Sequence, residues 1–260
     1  MSDPLATSIL SKLTNWYKFD SNLNDAHGSD HLTLGLSGVT YGAGINGNQV
    51  ASGSRAYATL AAPVPFAVTG AMTIGGWFQY TSGAEARPEF GYSYGGVSSG
   101  DEAFKIVVNP AGFFYVITWH DAGISNTAVV DPLQSARNYP ITVSAKDSAG
   151  QTATSPQIIR IASSGGLVPG RYFVVATRSA NGTMRLYIDS VLAASGGPCS
   201  AVKLTPLPRI EIGRNYSAAT SVTAMDDCFA CSGAELTAAE VGYIYNGGAS
   251  RTYSAIVAAS

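Results

Sequence analysis

The sequence predicts an all-β chain folded as an antiparallel two-sheet sandwich. Three observations carry that prediction. At 260 residues, with 46% apolar and 12% charged side chains, the chain has enough material for one large sandwich core. Its 29 Gly and 14 Tyr, with many Ser, Thr and Ala, suit short strands broken by turns. Residues 171–195 read as a meander of three strands. In it, Asn181-Gly182 is the dipeptide of a tight hairpin whose two central residues take positive φ. Residues 183–188 then alternate, with Met184, Leu186 and Ile188 facing one way and Thr183, Arg185 and Tyr187 the other. Asp189-Ser190 turns residues 191–194 back.

The remaining elements follow in chain order. Residues 1–13 read as an N-terminal arm with one turn of helix near its end, either mobile or docked on a neighbour. The aromatic strand Trp16-Tyr17-Lys18-Phe19-Asp20 runs into a polar, turn-forming segment that ends at Asp30. Residues 31–35 extend again, residues 38–50 are Gly-rich, and residues 57–60 form a short strand before Pro63 and Pro65. A strand over residues 72–78 centres on Trp77, and residues 104–108 and 113–119 form a hairpin. Residues 139–161 exceed what a sandwich needs. Their wording around Lys146-Asp147-Ser148-Ala149-Gly150 is similar to the last hairpin of an immunoglobulin-like repeat, so residues 127–168 are read as an inserted β-hairpin tipped by Ala149-Gly150. Near the end, Thr237 and Glu240 make a capping box, Val241, Ile244 and Tyr245 follow at helical spacing, and Asn246-Gly247-Gly248 stops the helix. This helix is expected to cap an edge or end of the sandwich, and residues 251–260 are a tail.

Several of these motifs, in this order, resemble the laminin G-like (concanavalin A-like) jelly-roll family. They are the Trp16 strand followed by Asn24-Asp25, the Gly44-Ile45-Asn46-Gly47 hairpin, the Trp77 strand and the meander. In the meander, Tyr172 stands where the family usually has Trp, and Asp189-Ser190 replaces Asp-Gly. The late strands at residues 209–213 and 225–230 and the closing helix complete the match, which spans residues 14–250 apart from the insertion. The resemblance implies a two-sheet antiparallel jelly roll with a short helix in its C-terminal region. It also implies a lectin-like role in binding glycans or proteins.

Composition excludes several functions. Net charge is −2 and no basic run occurs, so the footprint of a nucleic-acid binder is absent. No apolar run approaches the roughly 20 residues of a membrane span. The N-terminus lacks the basic start and apolar core of a secretory signal. A surface module without that signal suggests a phage virion protein released by lysis, either a capsid decoration or a tail appendage. The arm and the inserted hairpin are then candidates for contact with other virion proteins or with a second copy. The cysteines are Cys199, Cys228 and Cys231. They read as buried apolar thiols, with a bridge from Cys199 to one of the others or an intermolecular link as alternatives. Cys228 and Cys231, three apart on a strand, face opposite sides.

Enzymatic patterns fail on context. Gly96-Val97-Ser98-Ser99-Gly100 fits a nucleophile elbow by letters but lies in a Gly/Ser-rich loop. Gly42-Ala43-Gly44-Ile45-Asn46-Gly47 fits a phosphate-binding loop, yet no helix follows it. A jelly-roll glycosidase needs two carboxylates on one sheet face, whereas Asp101-Glu102 and Asp226-Asp227 are adjacent and expected to face opposite sides. The chain is therefore read as a non-enzyme. A polysaccharide hydrolase or lyase of the same superfold and a purely structural cement protein are the alternatives. Two sites are expected. Asp20, Asn24, Asp25, Asp226 and Asp227 are a candidate structural Ca²⁺ site, because that ion takes several oxygen ligands and the resemblance brings the last two near the turn. Without metal, the same turn is an Asx-rich structural loop. Glycan contact is expected on an aromatic platform drawn from Tyr80, Tyr92, Tyr94, Trp119 and Tyr216, with Arg214 and Asn215 beside it.

Overall fold

The computed structural model describes residues 2–34, 40–45, 48–51, 56–59, 70–80, 89–93, 102–108, 114–118, 144–146, 152–154, 161–162, 169–196, 209–212 and 224–260. In chain order the elements begin with α1 (Pro4–Lys12), β1 (Asn15–Tyr17), β2 (Thr33–Leu34), β3 (Thr40–Ala43), β4 (Asn48–Ala51) and β5 (Ala56–Thr59). Next come β6 (Met72–Tyr80), β7 (Glu89–Ser93), β8 (Glu102–Val108), β9 (Phe114–Thr118), β10 (Ser144–Lys146), β11 (Thr152–Thr154) and β12 (Ile161–Ala162). The last are β13 (Gly170–Arg178), β14 (Met184–Ile188), β15 (Val191–Gly196), β16 (Arg209–Ile212), β17 (Ala224–Ser232), α2 (Ala238–Tyr245) and α3 (Tyr253–Ala259).

Every strand pairing is antiparallel, giving the two-sheet sandwich that the sequence predicts. One sheet runs β15-β14-β13-β6-β17-β4-β3, with β1 also on β17. The other runs β12-β9-β8-β7-β16-β5-β2. Within the insertion, β10 and β11 pair as a separate two-stranded sheet, while Ile161-Ala162 returns to pair with β9. Thr40–Ala43 pairs with Asn48–Ala51, so Gly42 lies in a hairpin strand and Gly44 follows that strand, while Gly47 lies outside the described residues. No helix among the described residues is long and apolar enough to cross a membrane.

The first sheet is covered on both faces, which a plain two-layer sandwich does not require. Its inner side chains, among them Ile74, Phe78, Val174, Ala176, Leu186 and Cys228, meet the second sheet's Phe90, Phe104, Ile106 and Ile210. Its outer side chains, Trp77, Phe173, Val175, Tyr187, Phe229 and Cys231, meet a layer of the three helices. Strands buried on both sides read as continuous apolar runs, and Phe173-Val174-Val175-Ala176 is one. The N-terminal arm and the C-terminal tail are therefore corrected. Residues 4–12 form a helix that buries Ala6 and Ile9, and residues 253–259 form one that buries Ile256. Asp3 N donates to Ala259 O at 2.7 Å, joining the two ends. The capped helix α2 lies on the sheet's outer face rather than at an edge. Its capping box is formed, and Asn246 ends it in the left-handed region.

Inside the helical layer, the Glu240 carboxylate accepts from Lys12 Nζ, Ser8 Oγ and Thr237 N, each at 2.7 Å. Burial pushes its carboxyl up. The bonds from Lys12, Ser8 and Thr237 outweigh that and hold it below the usual glutamate value.

The two turns of the meander exchange the roles the sequence assigns them. Only Gly182 takes positive φ at the first. Its N–H donates to Ser179 O at 2.9 Å, while Ser179 N donates to Thr183 O, also at 2.9 Å. That is a three-residue loop, a type I turn followed by a left-handed glycine. The tight turn with two positive φ values is instead Asp189-Ser190, at 50° and 66°. Asp189 tolerates it because Oδ1 accepts from Phe173 N at 2.9 Å. Ser190 has no such compensation among the bonds described at this turn. Ser190→Gly is expected to raise stability by about 0.5–1 kcal/mol, since a side chain in the left-handed region costs about 1–2 kcal/mol and glycine's extra unfolded-state freedom returns part of it. A urea midpoint that does not rise would contradict this.

Strand β17 carries a bulge. Asp226 pairs with Trp77 and Phe229 with Gly75, so two residues oppose the single Gly76. Asp227 takes the extra place at φ 44°. A Cβ on Gly76 would sit 2.7 Å from Cys228 Sγ and 2.9 Å from its Cα, so the bulge requires glycine there. Cys228 and Cys231 are free and buried on opposite faces of the strand, in the inner and outer cores respectively. Burial raises both thiols. Cys199 lies outside the described residues.

Candidate functional site

The polar turn after β1 is densely hydrogen-bonded. Strand β1 ends early, because Phe19 and Ser21 take positive φ. The chain then doubles back so that Asp25 bridges Tyr17. The Asp25 carboxylate accepts from Asn15 Nδ2 at 2.8 Å, Trp16 N at 2.9 Å and His27 N at 3.0 Å. Its own N–H donates to His31 Nδ1 at 3.0 Å. Asn15 Nδ2 also donates to Asp30 Oδ2 at 3.1 Å, and Tyr17 Oη donates to Asp30 O at 2.8 Å. Burial first, and then the nearby Asp25 charge, hold the Tyr17 phenol far above its ordinary value, so it remains a donor. A Cβ on Gly28 would lie 2.8 Å from both Asp25 Oδ2 and Thr14 O.

A cavity of about 370 Å³ opens beside this turn. Thr14, Asn15 and Ser232 form one wall, and His27, Gly28, Ser29 and Asp30 form the other. Tyr92 reaches it from the second sheet. A smaller cavity of about 200 Å³ lies between Lys18, Asp20, Asp227, Thr252 and Ser254.

The structure brings Asp20 and Asp227 of the expected calcium set to the smaller cavity, but it does not bring all five residues to one point. Asp25 is occupied as described. Asp227 Oδ1 accepts from Trp16 Nε1 at 2.8 Å, and Asp226 Oδ2 accepts from Ile45 N. Asp20 is exposed and pairs with Lys18 at 3.4 Å, and Asn24 is exposed, with its N–H bonded to Asn22 Oδ1. Among the described residues no group of three or more His, Cys, Asp or Glu could hold a metal ion. Ca²⁺ needs six or more oxygens around one point, and these residues do not fit it. The bulge also corrects the expectation that Asp226 and Asp227 face opposite sides. The partners of both, Ile45 and Trp16, pack on the helix-side core.

Of the expected aromatic platform, the structure places Tyr92. Tyr92 is fully buried in the sandwich core, so its ring offers no open stacking face. Tyr94, Trp119, Arg214, Asn215 and Tyr216 lie outside the described residues. Sequence reasoning missed Asn15, Gly28 and the wall formed by Thr14 and Ser232. Asn15 carries no motif, and only its double bond to Asp25 and Asp30 reveals its place.

No family model and no curated protein matches the chain. Solved structures do. The botulinum neurotoxin serotype D binding domain matches with a TM-score of 0.60 at 16% identity, covering 92% of this chain and 53% of that one. The binding domain of Paraclostridial Mosquitocidal Protein 1 matches with a TM-score of 0.61 at 13% identity, covering 92% and 53%. The botulinum neurotoxin serotype D ligand-binding domain in complex with N-acetylneuraminic acid matches at 0.58 and 14%, covering 94% and 52%. The chain spans about half the length of these structures, and at such identities the likeness is one of fold. The chain is thus an all-β sandwich that shares its fold with these binding domains.

Proposed function

We propose that this chain is a non-enzymatic recognition module that binds surface glycans or a protein partner. The observation that carries the reading is the sandwich shared, over 92% of the chain, with domains named for binding. The carboxylates support it. A glycosidase needs two carboxyl groups free to reach one glycosidic bond. Asp25, Asp226 and Asp227 instead accept hydrogen bonds from the protein's own N–H groups. The proposed setting is a virion surface, as a capsid decoration or tail appendage.

A glycan array with the purified chain is expected to show saturable binding, and a polysaccharide panel no turnover. Turnover abolished by one Asp or Glu substitution would overturn the reading in favour of an enzyme. A blank array from a chain that co-sediments with particles would favour a structural cement protein.

A further inference from the structure

We propose that the 370 Å³ cavity between β1 and the turn is a binding site for a neutral, hydroxyl-rich ligand, the end of an uncharged glycan. This rests on the recognition reading above and names its site and ligand class.

Size and chemistry select the ligand. Pockets for small molecules run from about 300 to 1,000 Å³, and this one lies at the small end, suited to one or two sugar rings. Its polar side chains are a carboxylate (Asp30), an amide (Asn15), an imidazole (His27) and the hydroxyls of Thr14, Ser29, Ser232 and Tyr92. Sugar hydroxyls both donate and accept, and they match such a mixture. Among the described residues that line the cavity there is no Lys or Arg, and Asp30 carries the one carboxylate, so a sialic acid or phosphate would meet repulsion from it rather than a partner. Among the described lining residues Leu13 and the buried Tyr92 are the large apolar groups, too little for a lipid tail.

The site is also held rigid before any ligand arrives. Asp30 is fixed twice: its carboxylate is bonded by Asn15 Nδ2 at 3.1 Å and its carbonyl by Tyr17 Oη at 2.8 Å. Asn15 is in turn locked by Asp25 at 2.8 Å, and His27 Nδ1 lies 3.2 Å from Tyr253 Oη on α3. Gly28 and Ser29, which also line the cavity, are exposed. A site whose supporting groups are already ordered spends little binding energy on ordering them. This gives the dense bonding of the turn a purpose beyond closing a loop.

The test is an array of neutral and sialylated oligosaccharides, read with wild type, Asp30→Ala and Ser29→Trp. Ser29 is exposed, so Trp there fills the cavity mouth without disturbing the core. Melting curves of the three proteins establish that each is folded. The expected result is binding to neutral glycans, weakened at least tenfold by both variants. Binding that both folded variants retain would place the site elsewhere and sink this inference, while leaving the recognition reading intact. Binding confined to sialylated glycans would overturn the ligand class. A blank array for wild type would remove the glycan reading and this site together.

Discussion

Trp16→Ala is expected to cost about 3–5 kcal/mol, the usual range for deleting a large aromatic side chain from a core. Trp16 is fully buried between the sheet and the helices. It stacks on Phe229 at 5.1 Å and leans on Tyr253 at 5.8 Å. Its Nε1–H also supplies a hydrogen bond to buried Asp227, the residue at the bulge. Two losses therefore add: the cavity, and a carboxylate stripped of that donor. Trp16→Phe separates them, because it keeps most of the ring contact and removes only the donor. That variant is expected to lose about 1–3 kcal/mol, the cost of leaving a buried acceptor without its bond. Urea midpoints of the three proteins measure both steps. A Phe variant as stable as wild type would show that the Asp227 bond contributes nothing.

Lys12→Met is expected to destabilise the chain by about 2–3 kcal/mol near neutral pH. That is less than the 3–5 kcal/mol typical of a broken buried pair, because Ser8 and Thr237 still bond Glu240. Lys12 is also a quarter exposed, while Glu240 is 2% exposed. The pH dependence identifies the cause. In the wild type the folded Glu240 carboxyl lies below its ordinary value of about 4.5. Its contribution is therefore complete above that pH and is lost as pH falls through the folded value. In the variant, burial is left opposed by fewer bonds, the carboxyl shifts upward, and acid no longer removes the same stability. The two urea midpoints should converge as pH drops below about 4.5. A gap independent of pH would mean that Lys12 acts through packing of its stem instead.

Much of the fold was legible in the residues. Residues 183–188 alternate because β14 has one face in each core, and Thr237 with Glu240 announces a helix start that the structure realises. The meander's turns were legible in place but not in type. Asn181-Gly182 favours a two-residue turn locally, yet the pairing of Ser179 with Thr183 sets a three-residue loop. Register across β13 and β14 decides that, and local propensity does not see it. The candidate site was legible only as a polar turn. Its acids looked like ion ligands because composition records carboxylates without recording the donors they meet. Asn15, Trp16 and His27 consume Asp25, and no spacing rule pairs those residues with it.

The sequence by itself determined the β class, the sandwich and its turns, because strand periodicity and turn chemistry are local properties. Tertiary structure alone decided three things. It made helices of both chain ends by giving their apolar faces a sheet to cover, a stabilisation that short helices lack in isolation. It placed a bulge in β17, where one extra residue opposite Gly76 turned two adjacent acids to the same side. It also drew Thr14, Asn15, Asp30, Tyr92 and Ser232 around one cavity. Thr14 and Asn15 are neighbours in sequence, but the pairing of β1 with β17 brings Ser232 to them and the packing of the second sheet brings Tyr92.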